Sequence, residues 1–473
     1  MSSAVVVGSG PNGLTAAAVL AVAGVAVTVI EAADEVGGGA RSGEAIIPGL
    51  LHDHCSAIHP MVVSSPVVHS LDLASYGLRW RFADVDCAHP LDDGTAVALF
   101  TDVEHTAMNL GPDARAWRAL FGVTSRRYNL LAEDVLAPVL HVPRHPALLA
   151  RFGMPALLPA SVLVHAFRAE PARALFGGVA AHAFRPFSEP MSSAIGLGIL
   201  TAGHRDGWAI PEGGSASIIR ALRAVVEAHG GVIETGTTVR SAADLPLCDV
   251  VMFDLAPPAV ADILGPSMPV RVARAYRRFQ RGPGAFKLDL AVEGGVPWTA
   301  PVASRAGVVH VGGTFEQIEA AEREVVGGRM PARPFILVGQ QYLADPLRSV
   351  HSVHPVWTYA HVPHGYSGNA SEAILTQLER FAPGVRERIV GMHVTTPADF
   401  AAGNANFVGG DILTGAKNSL QLVFGPRLGG SPYDTGVPGM YLCSAATPPG
   451  PGAHGMCGAN AASRALAYLN EGR

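Results

Sequence analysis

A short apolar run of small and β-branched residues, Ala4–Val7, meets Gly8-Ser9-Gly10-Pro11-Asn12-Gly13. An alanine-rich stretch then leads into a second apolar run, Val25–Ile30, which ends at Glu31. That order predicts strand, tight turn, helix and parallel strand in one unit. The glycines serve different ends. Gly8 permits the turn, Gly10 lets backbone approach a pyrophosphate, and Gly13 brings helix and strand into contact. The N–H groups and positive dipole end of the new helix face the same anion. Glu31, about 20 residues on, is placed to accept hydrogen bonds from an adenosine ribose. A plain turn needs one glycine and no terminal acid. The pattern therefore predicts a dinucleotide site.

Directly after Glu31 comes Ala32-Ala33-Asp34-Glu35-Val36-Gly37-Gly38-Gly39-Ala40-Arg41. Gly38 and Gly39 let the chain pass close over a bound cofactor, and Arg41 is long enough to reach a phosphate. NAD dehydrogenases have no general need for this second cluster. Together the two clusters resemble FAD enzymes of the amine oxidase and phytoene desaturase superfamily, with GxGxxG, then Glu, then Gly-Gly and Arg. Near the other end, a predicted strand (Met440–Ser444) runs into a Gly/Pro loop and a small-residue helix that carries on to Leu469. The stretch LYLCSAATPPGPGAHGMCGANAA there resembles the phytoene desaturase-related branch, including the pyridine nucleotide-disulphide oxidoreductase domain 2 proteins. A third block, Trp208-Ala209-Ile210-Pro211-Glu212-Gly213-Gly214-Ser215, precedes a helix with apolar Ile218, Ile219, Leu222, Val225 and Val226 at helical spacing. Gly230-Gly231 ends that helix, and strands are predicted at Val232–Thr235 and Thr237–Arg240.

The resemblance implies an α/β fold in which a Rossmann-like FAD-binding domain carries an inserted α+β substrate domain, as in amine oxidases and phytoene desaturases. It implies FAD held by Gly8, Gly10, Pro11, Asn12, Gly13, Glu31, Ala32, Gly38, Gly39 and Arg41. It also implies an adenine contact near Val239, and closure around the ribityl chain and flavin edge by Ala445, Gly455, Met456 and Asn460. Three blocks so far apart require a discontinuous domain, 1–85, 205–285 and 405–473, leaving 86–204 and 286–404 for substrate.

Bulk properties narrow the classes. The 473 residues exceed what one hydrophobic core usually supports. Hydrophobic residues are 49% and charged ones 15%, which calls for a large apolar cavity or an apolar surface. Net charge is −5, only Lys287 and Lys417 are lysines, and no basic stripe marks a nucleic-acid partner. The cysteines Cys55, Cys87, Cys248, Cys443 and Cys457 form no CxxC pair, and no metal site is expected. His52 and His54 alternate on one strand face, but a convergent third ligand is missing. No basic leader and no uninterrupted apolar run of spanning length are visible, so a cytoplasmic protein is expected. Peripheral membrane contact and a homodimer stay open. Ala114–Arg185 reads as helices broken by prolines, with Met154–Val164 either core or a lid over a greasy tunnel.

The family chemistry needs few side chains, because the flavin carries the difficult step. Desaturation, saturation or isomerisation of an apolar polyene or acyl substrate is the expected reaction. Three groups are candidates to move a proton beside the ring. His59 lies in the stretch that passes alongside it, Lys287 sits on a predicted strand (Ala285–Val292) that amine oxidases use for a lysine near the flavin, and His454 lies in the closing loop. Two alternatives remain at this stage: an amine or amino-acid oxidase on the same fold, and a non-catalytic escort such as the Rab GDP-dissociation inhibitors.

Overall fold

The computed structural model describes residues 2–471, and two sheets organise them. The first has five strands in the spatial order Met440–Leu442, Val250–Phe253, Ser3–Val7, Ala26–Ile30, Val232–Glu234, every pairing parallel. Strands of this kind are covered on both faces, which is why they read as unbroken apolar runs. Ala4, Val6 and Met252 pack beneath the helices Pro11–Val22, Ala216–Ala228 and Met456–Glu471. Val5, Val7 and Phe253 face the other way, onto Pro257–Leu264 and Val270–Arg277. Strand Ser3–Val7 is central: the chain leaves it to one side for Ala26–Ile30 and returns on the other side at Val250–Phe253. That reversal opens a crevice at the carboxyl ends of the strands, the usual ligand position in such sheets.

The second sheet has seven strands in the order Ile389–Thr395, Gly284–Glu293, Val353–Val362, Ile336–Gly339, Ala306–Val311, Val85–Pro90, Ala96–Leu99. Only Val85–Pro90 against Ala306–Val311 is parallel; the remaining pairs are antiparallel. One face, with Phe286, Leu288 and Leu290, packs on the Ser371–Glu379 helix. The other face meets a helical layer that includes Ala114–Arg126, Glu170–Ala180 and Ser193–Asp206.

Two local expectations are revised. Thr237–Arg240 is not a strand; it is a connecting segment tied to the end of its neighbour by Thr237 N–H donating to Glu31 C=O at 2.9 Å. The apolar stretch around Met154–Val164 is split, with helix Pro146–Ala156 and the following Ala160–Ala166 segment bent by 93° across the Pro159 break. Met154 (72% exposed) and Leu157 (61%) are not core, whereas Ala156, Ala160, Leu163 and Val164 are. Among the described residues no single helix is long and apolar enough to cross a membrane.

Candidate functional site

A cavity of about 1080 Å³ starts at the carboxyl edge of the parallel sheet and extends beneath the helical layer. Gly8, Gly10, Pro11 and Asn12 form one end of its wall, with Glu31, Ala32, Gly38, Gly39 and Arg41 beside them. Local sequence makes this end. Gly10 caps the helix in an extended conformation and Pro11 occupies its first turn, where a missing N–H costs nothing. Gly8 has φ +98°. A Cβ on Gly10 would lie 2.6 Å from Asp254 Oδ2, and one on Gly13 would collide with the Gly8 carbonyl. Gly13 is thus a packing glycine behind the wall, as its role between helix and strand requires.

Glu31 is held in place. Its Oε2 accepts from Ser9 N–H (2.9 Å) and Ser9 Oγ–H (2.5 Å), and its Oε1 accepts from Ala33 N–H (2.9 Å). Val239 lines the wall beyond it, together with Thr238 and Arg240. Arg41 also lies on the wall, but its guanidinium donates to the carbonyls of Gly38 (3.1 Å) and Gly403 (2.7 Å). In this state it braces two loops.

Sequence reasoning missed Asp254 and Asn406. Asp254 follows strand Val250–Phe253 and accepts from Gly13 N–H through Oδ2 at 2.9 Å. Burial, with smaller help from the nearby Glu31 carboxylate, pushes its pKa up to about 7. Asn406 Nδ2 donates to the Asp254 carbonyl (2.9 Å), and its Oδ1 accepts from Ala256 N–H (2.7 Å). An apolar run ending in an acid just before a proline-started helix was the available signal for Asp254.

The closing loop divides between wall and scaffold. Ala445 and His454 line the cavity. Gly455, Met456 and Asn460 lie outside its lining. A Cβ on Gly455 would approach Thr15 Oγ1 to 2.5 Å, so this glycine seats the last helix against Pro11–Val22. Met456 packs into the apolar cluster under the sheet, and Asn460 Nδ2 donates to the Leu136 carbonyl at 3.1 Å. His454 Nδ1 accepts from Met456 N–H at 3.1 Å, and burial lowers its pKa to about 4. It is a neutral ring that caps the final helix while facing the cavity.

The other two proton-transfer candidates are placed elsewhere. His59 lies off the wall in a buried clasp, with Nε2 2.9 Å from Ser215 Oγ. Burial lowers its pKa to about 4. The same clasp joins Asp53 to Ser42 Oγ–H (2.7 Å), Ser215 N–H (2.7 Å) and Arg348 Nη1 (2.6 Å). Asp53 is therefore ionised, its pKa held low by Arg348 and these donors against the opposing effect of burial. Lys287 is also off the wall. Its ammonium donates to Asp289 Oδ1 (2.7 Å), Asp289 Oδ2 (2.6 Å) and the Asp53 carbonyl (2.8 Å), so all three N–H groups are engaged. The expectation that Lys287 and Asp289 share a strand face holds, and their pairing is what removes the lysine from the site.

Beyond the closing loop the wall turns apolar. Ile195, Ile199, Leu413 and Leu422 contribute to it, with Trp208, Trp357 and Tyr359 on the sheet side. Trp357 and Tyr359 meet edge to face, 4.9 Å between ring centres. Lys417 is also in this wall.

Fold and crevice define a chain with a Rossmann-like domain at one end of a large cavity. Residues 6–71 match the family described as NAD(P)-binding Rossmann-like domain. Along its length the chain is homologous to pyridine nucleotide-disulfide oxidoreductase domain-containing protein 2 of Rattus norvegicus, at 25% identity over 97% of this chain and 92% of the rat protein. Its fold is similar to that of an oxidoreductase from Methanosarcina mazei (TM-score 0.67, 17% identity, 98% and 100% of the two chains). It is also similar to putrescine oxidase bound to putrescine (TM-score 0.60, 17% identity, 99% and 98%).

Proposed function

We propose that the chain is an FAD-dependent oxidoreductase acting on a carbon–carbon bond of an apolar substrate, by desaturation, saturation or isomerisation. The observation that carries this reading is one continuous cavity, polar and glycine-lined at the sheet edge and apolar beneath the helices. The residues at the polar end suit FAD. Close packing at Gly10 shapes a cradle that a side chain would fill, and the Glu31 carboxylate lines the same end of the cavity, where it would accept from an adenosine ribose. The buried Asn12 Oδ1 has no hydrogen-bond partner among the described residues, so that side chain keeps capacity for a ligand. Bound FAD would supply hydride acceptance. The protein's share is to hold the substrate C–H bond in place and exclude water, and the apolar wall formed by Ile195, Ile199 and Leu413 serves both needs.

A second reading, amine oxidation, draws on the Trp357–Tyr359 pair in the chamber wall and on the likeness to putrescine oxidase. A cationic lysine in the same wall disfavours an ammonium substrate, so we rank it below the first. Purified protein should be yellow with flavin absorbance. Anaerobic bleaching by lipids or carotenoids, and not by amines, supports the first reading; bleaching by amines alone selects the second. Material that stays colourless after reconstitution with FAD refutes both.

A further inference from the structure

Lys417 is 7% exposed and lies in the wall of the chamber. Among the described residues its ammonium makes no hydrogen bond or ion pair, unlike that of Lys287. Asp411, the acid that acts on it, spends its carboxylate on backbone donors: Gly282 N–H (2.8 Å) and Gly415 N–H (2.7 Å) on one oxygen, Leu413 N–H (3.2 Å) on the other. Burial lowers the Lys417 pKa to about 8, which leaves the charged form dominant at neutral pH. The backbone around it is fixed. Arg185 donates to its carbonyl, Ala416 N–H donates to the Gln280 carbonyl (3.0 Å), and Ser419 Oγ–H donates to the Pro190 carbonyl (2.9 Å).

Asp411 offsets the charge only through space, and a desolvated ammonium with no direct hydrogen-bond partner is costly. Lys417 shares the lining of the cavity with the apolar Met191, Ile195 and Leu422. We propose that Lys417 anchors a carboxylate carried by the substrate, so that the molecule bound in this chamber is an apolar chain or ring system with one acidic end. This inference rests on the apolar-substrate reading above and narrows its substrate class.

The test uses the flavin-loaded protein and three probes of matched apolar length: oleate, methyl oleate and oleyl alcohol. Binding is followed by calorimetry, with Trp208 and Trp357 in the wall as fluorescent reporters. Wild type should prefer oleate to oleyl alcohol by about 10- to 100-fold, the worth of one charge-assisted hydrogen bond. Lys417→Met should abolish that preference while keeping affinity for the alcohol, and Lys417→Arg should keep part of it. Removal of an unpaired buried charge should also raise the melting temperature of ligand-free Lys417→Met, which a structural role would not do. An unchanged oleate-to-alcohol ratio in Lys417→Met overturns the proposal. So does a variant that keeps the ratio but loses sulfite affinity at the flavin, because the charge then serves the cofactor. If none of the three probes binds wild type, the apolar-substrate reading fails and this inference with it.

Discussion

Replacing Lys287 by methionine separates a proton-transfer lysine from a structural one. Methionine keeps the stem volume, so the change is confined to the charge and its three donors. Asp289 is 3% exposed and would lose contacts at 2.6 and 2.7 Å, while the Asp53 carbonyl would lose one at 2.8 Å. Each charged hydrogen bond contributes about 1.5–3 kcal/mol, and removing one partner of a buried pair costs about 3–5 kcal/mol because the other charge is stranded. Lys287→Met should therefore lower stability by about 3–5 kcal/mol, read as a fall in the guanidinium midpoint by circular dichroism. Removing the stranded charge as well, in Lys287→Met/Asp289→Leu, should restore most of the loss, since apolar pairs of similar volume often substitute for buried ion pairs. Flavin reduction by substrate, measured at a temperature where the variants stay folded, should change little in the double variant. A single variant with wild-type stability and flavin reduction slowed by orders of magnitude would refute this reasoning and return Lys287 to the reacting atoms.

Gly10→Val should cost about 1–3 kcal/mol by overpacking against Asp254 and leave the purified protein with little flavin, measured by the ratio of flavin to protein absorbance. Asp254 has a folded pKa of about 7, above its unfolded value, so its stabilising contribution is complete below the unfolded pKa and is lost as pH rises through 7. The shift corresponds to about 4 kcal/mol, and Asp254→Asn should remove a slope of that size between roughly pH 4 and 7 in apoprotein denaturation midpoints compared with wild type. His454→Ala should leave the shape of the pH–rate profile between about pH 6 and 8 unchanged, because a ring with a pKa near 4 does not titrate there. A lost limb in that range would show that the ring holds a proton during turnover.

The glycine cluster was legible because its causes are local: strand, turn, helix start and acid lie within one βαβ unit and answer to one ligand. The partners of those glycines were not. Gly13 needs Asp254, whose position is 241 residues away in sequence, and no periodicity connects the two. His59 lies in a stretch expected to pass alongside the flavin, yet Ser215, 156 residues on, draws its ring into the Asp53 clasp. The closing segment shows a further difficulty. Gly455 and Asn460 look like ligand contacts in a motif, whereas in the fold one seats a helix against its neighbour and the other ties that helix to the helical layer. A motif marks the place where a segment must pass, and packing decides which atoms of it are left facing the cavity.

The two lysines show the same contrast inside the site. In the sequence Lys287 is the candidate, because the resemblance implies a lysine near the flavin on that strand, while no motif marks Lys417. Yet alternation on Gly284–Glu293 places Asp289 beside Lys287, and the acid consumes the charge. Lys417 has no acid in direct contact: Asp411, six positions before it, acts on it only through space, and tight turns deliver the amides of Leu413 and Gly415 to that carboxylate. The regular strand thus neutralises its lysine, and the irregular loop leaves one in the chamber wall without a direct partner. It follows that the charge relevant to ligand choice should be sought in this chain on the loop between Asp411 and the Ser419–Phe424 helix, and the carboxylate-discrimination experiment probes that loop directly.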